Sequence, residues 1–102
     1  MVNREELRDA LRAIIENPKA VYFQPPETIK LSYPCIIYEL NDYNLIKADN
    51  GNHMVRESYS ITLITKLPDE TFSKKILNLP MCRFNRVFVN DGLYHYVFTI
   101  YL

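Results

Sequence analysis

The side chains best suited to covalent chemistry in this chain are two cysteines and two histidines, Cys35, Cys82, His53 and His95. A cysteine becomes a catalytic nucleophile when a neighbouring base, commonly a histidine, takes its proton. His95 lies between two tyrosines of a predicted strand, where packing or a simple hydrogen bond is the common role. His53 lies near a predicted turn, where solvent surrounds it. We therefore expect no catalytic residue, and a thiol hydrolase that uses either cysteine is the alternative.

Other signatures of a reactive or ligand-binding site are missing from the sequence. It contains none of the GxSxG, Walker, GxGxxG or HExxH patterns, and two glycines are too few for a glycine-rich phosphate loop. The cysteines lack the CxxC or CxxH spacing of a metal site, so we expect them to be reduced and packed as small hydrophobic side chains. No metal site and no cofactor are predicted.

The charge pattern argues against nucleic acid and membrane partners. Twelve basic and twelve acidic residues cancel, and no block of like charge occurs. Aromatic side chains of residues 93–102 could stack on bases, but that segment has no lysine or arginine. No apolar run is long enough to span a membrane, and the first ten residues do not resemble a signal peptide. We expect a protein that is made and kept in the cytosol.

Two helices are predicted from apolar periodicity. Residues 3–16 place Leu7, Leu11, Ile14 and Ile15 on one helical face. Asn3 is a suitable N-cap with Glu6 three positions later, and the helix ends before Pro18. Residues 69–79 predict a second, shorter helix that Pro68 precedes and Pro80 follows. Between them, residues 21–23 could form a short edge strand.

Residues 35–66 predict one long β-hairpin around Asn50-Gly51, a pair that suits a type I′ turn. A two-residue turn sets a register that puts three pairs on one face, Leu40 with Ile61, Tyr38 with Leu63 and Ile36 with Thr65. An arm of about 14 residues spans about 45 Å, whereas a domain of this size is about 35 Å across. The tip is therefore predicted to project beyond the body, and a partly disordered surface loop is the equal alternative.

Residues 82–102 predict a second hairpin. A three-residue loop, Asn90-Asp91-Gly92, pairs Phe88 with Tyr94, Phe84 with Phe98 and Cys82 with Ile100, and we prefer it because it stacks more aromatic area. A two-residue loop would pair Val87 with Tyr96 instead. The last strand is apolar on both faces and uncharged, so it must be central in the sheet or covered by another subunit. Together the elements predict a single α+β domain over residues 1–102.

Several short motifs follow one another in a recognisable order from about Ser32 onward. They are Tyr33-Pro34-Cys35-Ile36-Ile37-Tyr38-Glu39, Ala48-Asp49-Asn50, Tyr59-Ser60-Ile61-Thr62, Leu67-Pro68-Asp69 and Asp91-Gly92-Leu93-Tyr94-His95-Tyr96. In this order, behind a short N-terminal helix, the chain resembles the tail-terminator or tail-completion proteins of long-tailed bacteriophages and prophages. The resemblance covers about two thirds of the chain, and head–tail connector and minor tail families are similar to it.

The resemblance implies a mixed, mainly antiparallel sheet of two hairpins with two helices packed on one face. It implies a non-enzymatic structural protein of the virion tail, made in the host cytoplasm. Its copies would form a ring, commonly a hexamer, that caps the tail tube and joins it to the head. Its partners would be further copies of itself, tail-tube proteins and head-connector proteins.

A ring requires contact between two different patches on neighbouring copies. The predicted subunit interface consists of seven residues, Leu45, Lys47, His53, Met54, Arg56, Tyr94 and Tyr96. An adaptor domain that binds one protein by strand addition at residues 21–24 is the alternative to an assembly subunit.

Overall fold

A computed structural model describes residues 3–47 and 53–102 of the chain. Within these residues the chain forms two α-helices, one 3₁₀ turn and one five-stranded sheet, so the predicted α+β class is confirmed. The elements are α1 (Arg4–Ile15), the turn Pro18–Ala20, β1 (Val21–Phe23), β2 (Cys35–Lys47), β3 (His53–Thr65), α2 (Thr71–Leu77), β4 (Cys82–Asn90) and β5 (Leu93–Tyr101). None of the helices in the described ranges is long and apolar enough to cross a membrane.

Helix α1 begins and ends at local signals in the sequence. The Asn3 side chain accepts a hydrogen bond from the Glu6 N–H at 2.9 Å, which confirms the predicted N-cap. Glu16 has φ of 60°, in the left-handed region that ends helices, and the chain reverses there into the 3₁₀ turn. The four predicted apolar residues of this helix are buried.

Helix α2 is shorter than the predicted span of residues 69–79. The Asp69 carboxylate accepts a hydrogen bond from the Phe72 N–H at 2.8 Å, so Asp69 caps the helix from outside it. Ile76 is its one residue described as fully buried, which leaves most of this short helix in solvent.

The strand order is β1-β2-β3-β5-β4, with β1 parallel to β2 and the other neighbours antiparallel. The uncharged aromatic strand, β5, is therefore central. The sequence required this strand to be either central in the sheet or covered by another subunit, and the first alternative holds. Both hairpins contribute to one mixed sheet, and its two edges are β1 and β4.

Both helices pack on the same face of this sheet. Across it, Tyr38, Ile61 and Phe98 are register neighbours, and all three are buried with Leu7 and Leu11 of α1 in one core. Phe98 also lines a cleft beside α2. The predicted placement of the helices on one face is thereby confirmed.

The predicted register of the first hairpin is wrong by two residues. Tyr38 lies opposite Ile61 rather than Leu63, and Leu40 lies opposite Tyr59 rather than Ile61. One residue of the difference arises at the tip, where Lys47 pairs with His53, and the other at a bulge between Leu40 and Asp42. Because side chains alternate between the two faces with a period of two, a total shift of two residues leaves the same side chains on the face that was predicted for them. The predicted turn at Asn50-Gly51 lies outside the described residues.

The second hairpin contains both of the registers that the sequence left open. Next to the turn, Val87 pairs with Tyr96, as a two-residue loop requires, and Phe88 faces His95 rather than Tyr94. Asp91 and Gly92 have φ of 52° and 73°, which suits a type I′ turn. A bulge between Phe84 and Arg86 then adds one residue, and beyond it Phe84 faces Phe98 and Cys82 faces Ile100, as the preferred register predicted.

Candidate interaction surfaces

The outer half of the first hairpin forms an arm that leaves the body. The last residue pair between β3 and β5 is Ser58 with Tyr101, and β1 ends opposite Tyr38. From Tyr43–Glu57 to Lys47–His53, the two strands of the arm pair with each other and with no other described strand. The molecule measures 51 × 27 × 24 Å along its principal axes. The predicted projection of this hairpin is therefore confirmed.

The base of the arm is fixed by a bulge and its polar contacts. The Asn41 side-chain amide donates to the Ser58 hydroxyl at 3.3 Å, and that hydroxyl lies 3.4 Å from the Asp42 carbonyl. Ser58 is buried although it is polar, and these contacts supply its hydrogen bonds. A bulge bends its strand and increases its twist, so this point sets the direction of the arm.

A cleft of about 620 Å³ lies between the arm base and the N-terminus of α1. Its aromatic floor contains Phe23, whose ring centroid is 6.5 Å from that of Tyr59. The Tyr59 hydroxyl donates to Glu57 at 2.7 Å, and burial together with this bond raises the pKa of Tyr59 to about 12. The phenol thus stays protonated at neutral pH and holds the Glu57 carboxylate at the rim.

The predicted interface residues divide into two groups that lie far apart. Leu45, Lys47, His53 and Met54 belong to the arm strands, and their side chains lie outside the described part of the chain. Arg56, also on the arm, is exposed and pairs with Asn44.

Tyr94 and Tyr96 lie at the other end of the sheet, where Tyr94 pairs with Thr65. Thr65 lies nine positions after Arg56 on β3, which is about 30 Å of strand. Both tyrosines are half-buried, and the Tyr96 hydroxyl accepts a hydrogen bond from the Asp69 N–H at 2.9 Å. Tyr96 therefore has a contact inside the body.

An apolar surface that the sequence did not reveal runs along the edge strand β4. On the helix side of this strand, Phe84 is 46% exposed, Val87 48% and Val89 59%. Leu77 and Met81 are also exposed, and Leu77 and Phe84 line a cleft of about 310 Å³ between α2 and β4. We call these five residues the β4 strip. Adjacent exposed apolar side chains on a sheet edge are typical of protein interaction sites.

The opposite face of β4 is more polar and partly ordered by stacking. The Phe88 and His95 rings stack at 4.7 Å with an interplanar angle of 7°, and the Arg86 guanidinium lies 5.2 Å from the Phe88 centroid. At the bulge, the Asn85 amide donates to the Thr99 hydroxyl at 2.7 Å. A bulge and charged side chains limit indiscriminate strand pairing at an edge. We therefore expect the β4 edge to pair only with a strand whose shape and charge match its bulge and its arginines.

Among the residues considered for covalent chemistry, the three whose side chains are described, Cys35, Cys82 and His95, do not form a reactive pair. Cys35, Ile64 and His95 occupy neighbouring strands in register, so two strand spacings, about 10 Å, separate the thiol strand from the histidine strand. Cys82 pairs with Ile100 on the helix side of the sheet. Both thiols are free, and burial raises the pKa of each to about 11, which disfavours the thiolate. The described residues hold no cluster of metal-ligating side chains.

Comparison with models of known protein families and with curated protein sequences finds no match to this chain. The likeness to phage tail proteins therefore rests on the motifs quoted above.

Little in the amino-acid sequence indicates the β4 strip. Residues 82–90 alternate between apolar and polar side chains only in part, and their exposure depends on which strand is placed at the edge. The strand order decides which strand is at the edge. It depends on the whole sheet, because β5 pairs with β3 on one side and with β4 on the other.

Proposed function

We propose that this protein is a ring-forming assembly subunit of a phage tail, of the tail-terminator or tail-completion kind. In this role it caps the finished tail tube and joins it to the head connector, and it acts in the virion without catalysing a reaction.

The observation that carries this proposal is the pair of dissimilar surfaces, an arm that projects from the sheet and an apolar strip along an edge strand. The arm leaves the sheet beyond Tyr43 and Glu57, whereas the β4 strip runs along the edge strand from Met81 to Val89. A closed ring of identical copies needs such a heterologous pair, in which one patch of each subunit meets a different patch of the next. An isologous dimer would need one self-complementary patch instead.

The chemistry of the surfaces agrees with assembly. Apolar side chains at the β4 strip offer area that association can bury, and Arg83 and Arg86, on the opposite face of the same strand, supply charge that orients a partner. The order of the sequence motifs, which resembles that of tail-terminator and tail-completion proteins, is a further argument for this role. Support for the proposal thus comes from shape, exposure and motif order.

The test is an arm-shortened variant in which residues 45–55 are replaced by Asn-Gly. Asn44 and Arg56 are directly opposite each other, so a two-residue turn can join them without strain in the rest of the sheet. The full-length chain is expected to form a closed oligomer in sedimentation velocity, alone or on purified tail tubes, and the shortened chain to remain monomeric. Circular dichroism and thermal unfolding would verify that the body of the shortened variant still folds.

Phage carrying the shortened gene should lose infectivity and make tails of irregular length. An unchanged ring from the shortened chain, or normal tails in the mutant phage, would contradict the proposal.

A further inference from the structure

A row of arginines lies beside the sheet edge that is opposite the β4 strip. Arg4, Arg8 and Arg12 recur every four residues on α1, so they stand about 6 Å apart along one side of the helix. Together with Val21, Phe23 and Tyr38 they line a cleft of about 270 Å³. The cleft therefore combines an aromatic floor with three guanidinium groups.

The arginine row and β1 run side by side in opposite directions. The Arg4 guanidinium lies 4.3 Å from the centroid of the Phe23 ring, at the end of β1. Arg12 is near the end of α1, and the 3₁₀ turn leads from there directly into Val21. Each end of the short strand thus has an arginine beside it.

Much of the hydrogen-bonding capacity of this row is unused. Arg8 pairs with Asp9 at 3.1 Å, but neither Arg4 nor Arg12 forms an ion pair or a side-chain hydrogen bond within residues 3–47 and 53–102. The Nε of Arg12 is buried and has no hydrogen-bond partner there. An unsatisfied buried donor on a charged group is costly, and a charge-assisted hydrogen bond from the same guanidinium to a bound carboxylate would offset part of that cost.

The floor of the cleft adds a neutral donor. The Tyr38 ring is buried, and its hydroxyl has no hydrogen-bond partner in the described part of the chain. Burial raises the pKa of Tyr38, and the charges of Arg4, Arg8 and Arg12 act against that rise. All three arginines line the same cleft as this phenol. Glu5 also lines the cleft and Asp9 is nearby, but Asp9 is already paired with Arg8.

The free edge of β1 determines the shape of ligand that fits. β1 pairs with β2 on one side, and no described strand pairs with its other side. Side chains two residues apart on an added strand would repeat at about 6.6 Å, close to the spacing of about 6 Å between successive arginines. A single phosphate would reach only part of this row, whereas alternate carboxylates on an extended segment would reach all of it.

We propose that the edge of β1 and the arginine row form a binding site for an extended acidic peptide segment. The segment adds a strand to β1, and its alternate Asp or Glu carboxylates bind Arg4, Arg12 and the Tyr38 hydroxyl. This site is separate from the arm and the β4 strip, so it does not depend on ring assembly.

The test uses a short synthetic peptide with Glu at every second position and Val or Thr between, titrated into the full-length protein by calorimetry. A peptide with Gln in place of each Glu is its control, and inorganic pyrophosphate at the same ionic strength is a third ligand. We expect 1:1 binding of the Glu peptide, weaker at high salt, with shifts of the Val21–Phe23 amides in NMR spectra. The Gln peptide should not bind.

Variants locate the site. Arg12→Met and Arg4→Met keep the aliphatic stem but remove the charge, and each is expected to weaken binding about tenfold or more. Tyr38→Phe removes only the hydroxyl and should weaken binding less. Arg83→Met makes the same change on β4, at the opposite edge, and should leave the affinity unchanged. Thermal unfolding of each variant would verify its fold.

Three results would overturn this assignment. They are equal binding of the Gln peptide, equal loss of affinity in Arg83→Met and Arg12→Met, and binding of pyrophosphate without binding of the Glu peptide. The last result would identify a site for small anions rather than for a peptide. Because ring formation is measured separately on the arm-shortened variant, failure here would leave the assembly proposal unaffected.

Discussion

The Tyr96 hydroxyl lies 2.9 Å from the backbone nitrogen of Asp69, from which it accepts a hydrogen bond. This bond joins the central strand β5 to the residue that caps α2. Because α2 is short and buries Ile76 alone among its described residues, such a contact contributes noticeably to its position.

Replacement of this tyrosine tests the contact. Tyr96→Phe leaves the Asp69 N–H without its partner, and we expect the free energy of unfolding to fall by about 1–2 kcal/mol. Urea unfolding followed by circular dichroism would measure it. Tyr94→Phe is the matched control, because Tyr94 is half-buried on the same strand and no hydrogen bond of its side chain is described. An equal loss in both variants would contradict the role of the hydrogen bond.

The turn of the second hairpin gives a prediction about backbone conformation. Gly92 has φ of 73°, and a Cβ added there would meet no atom within 4 Å. Gly92→Ala should therefore destabilise the protein through backbone strain alone, by about 1–2 kcal/mol. Asp91→Asn, at the preceding residue with φ of 52°, should change stability little because asparagine tolerates this region. Thermal unfolding would compare them, and a neutral Gly92→Ala would be inconsistent with the observed turn.

The β4 strip can be disrupted without harm to the core. Val87→Lys and Val89→Lys place a charge where the side chain is about half exposed, so the monomer should stay folded while assembly is lost. Ile29→Lys is the control, since it makes the same change at an exposed apolar residue between β1 and β2. Sedimentation velocity would report the oligomer. Rings of normal size from the Val87→Lys variant would exclude the strip from the interface.

The raised pKa values of the two thiols predict that the stability of the fold depends on pH in the alkaline range. Their pKa is raised from 9.0 to about 11 in the folded state, so the unfolded chain releases these protons first. Stability that is fully present below about pH 9 should then fall as the pH rises towards 11. Urea unfolding across this range would show the loss, and Cys82→Ala should make it shallower.

The same raised pKa predicts slow chemistry at the thiols. At pH 8 a thiol with a pKa of about 11 is about one part in a thousand thiolate, so iodoacetamide should label the native protein far more slowly than the unfolded one. Rapid and selective labelling of one cysteine in the native protein would instead support the alternative function as a thiol hydrolase.

Local signals in the sequence were sufficient to place most elements. Asn3 and the apolar spacing of α1 predicted its start and its buried face, and Asn90-Asp91-Gly92 marked the position of the second turn. The hairpin registers were harder, because the bulges near Asn41 and Asn85 each add one residue without a distinctive residue type.

The interaction surfaces could be predicted only in part. The arm followed from the length of its strands, whereas exposure of Val87 and Val89 follows from the strand order, which depends on pairings distant in sequence. The periodicity of α1 alone predicts only that its arginines lie away from the buried apolar face. Their convergence on Tyr38 depends on how α1 lies over β1 and β2, and that placement is not encoded in the helix alone.

The central position of β5 also affects how the chain folds during translation. β3 and β4 are held in one sheet through β5, which follows both of them in the chain. Until β5 has left the ribosome, β3 is unpaired on one side and β4 has no strand to pair with. Nascent chains would therefore expose two unprotected strands at once, so final closure of the sheet must wait for the last strand to emerge.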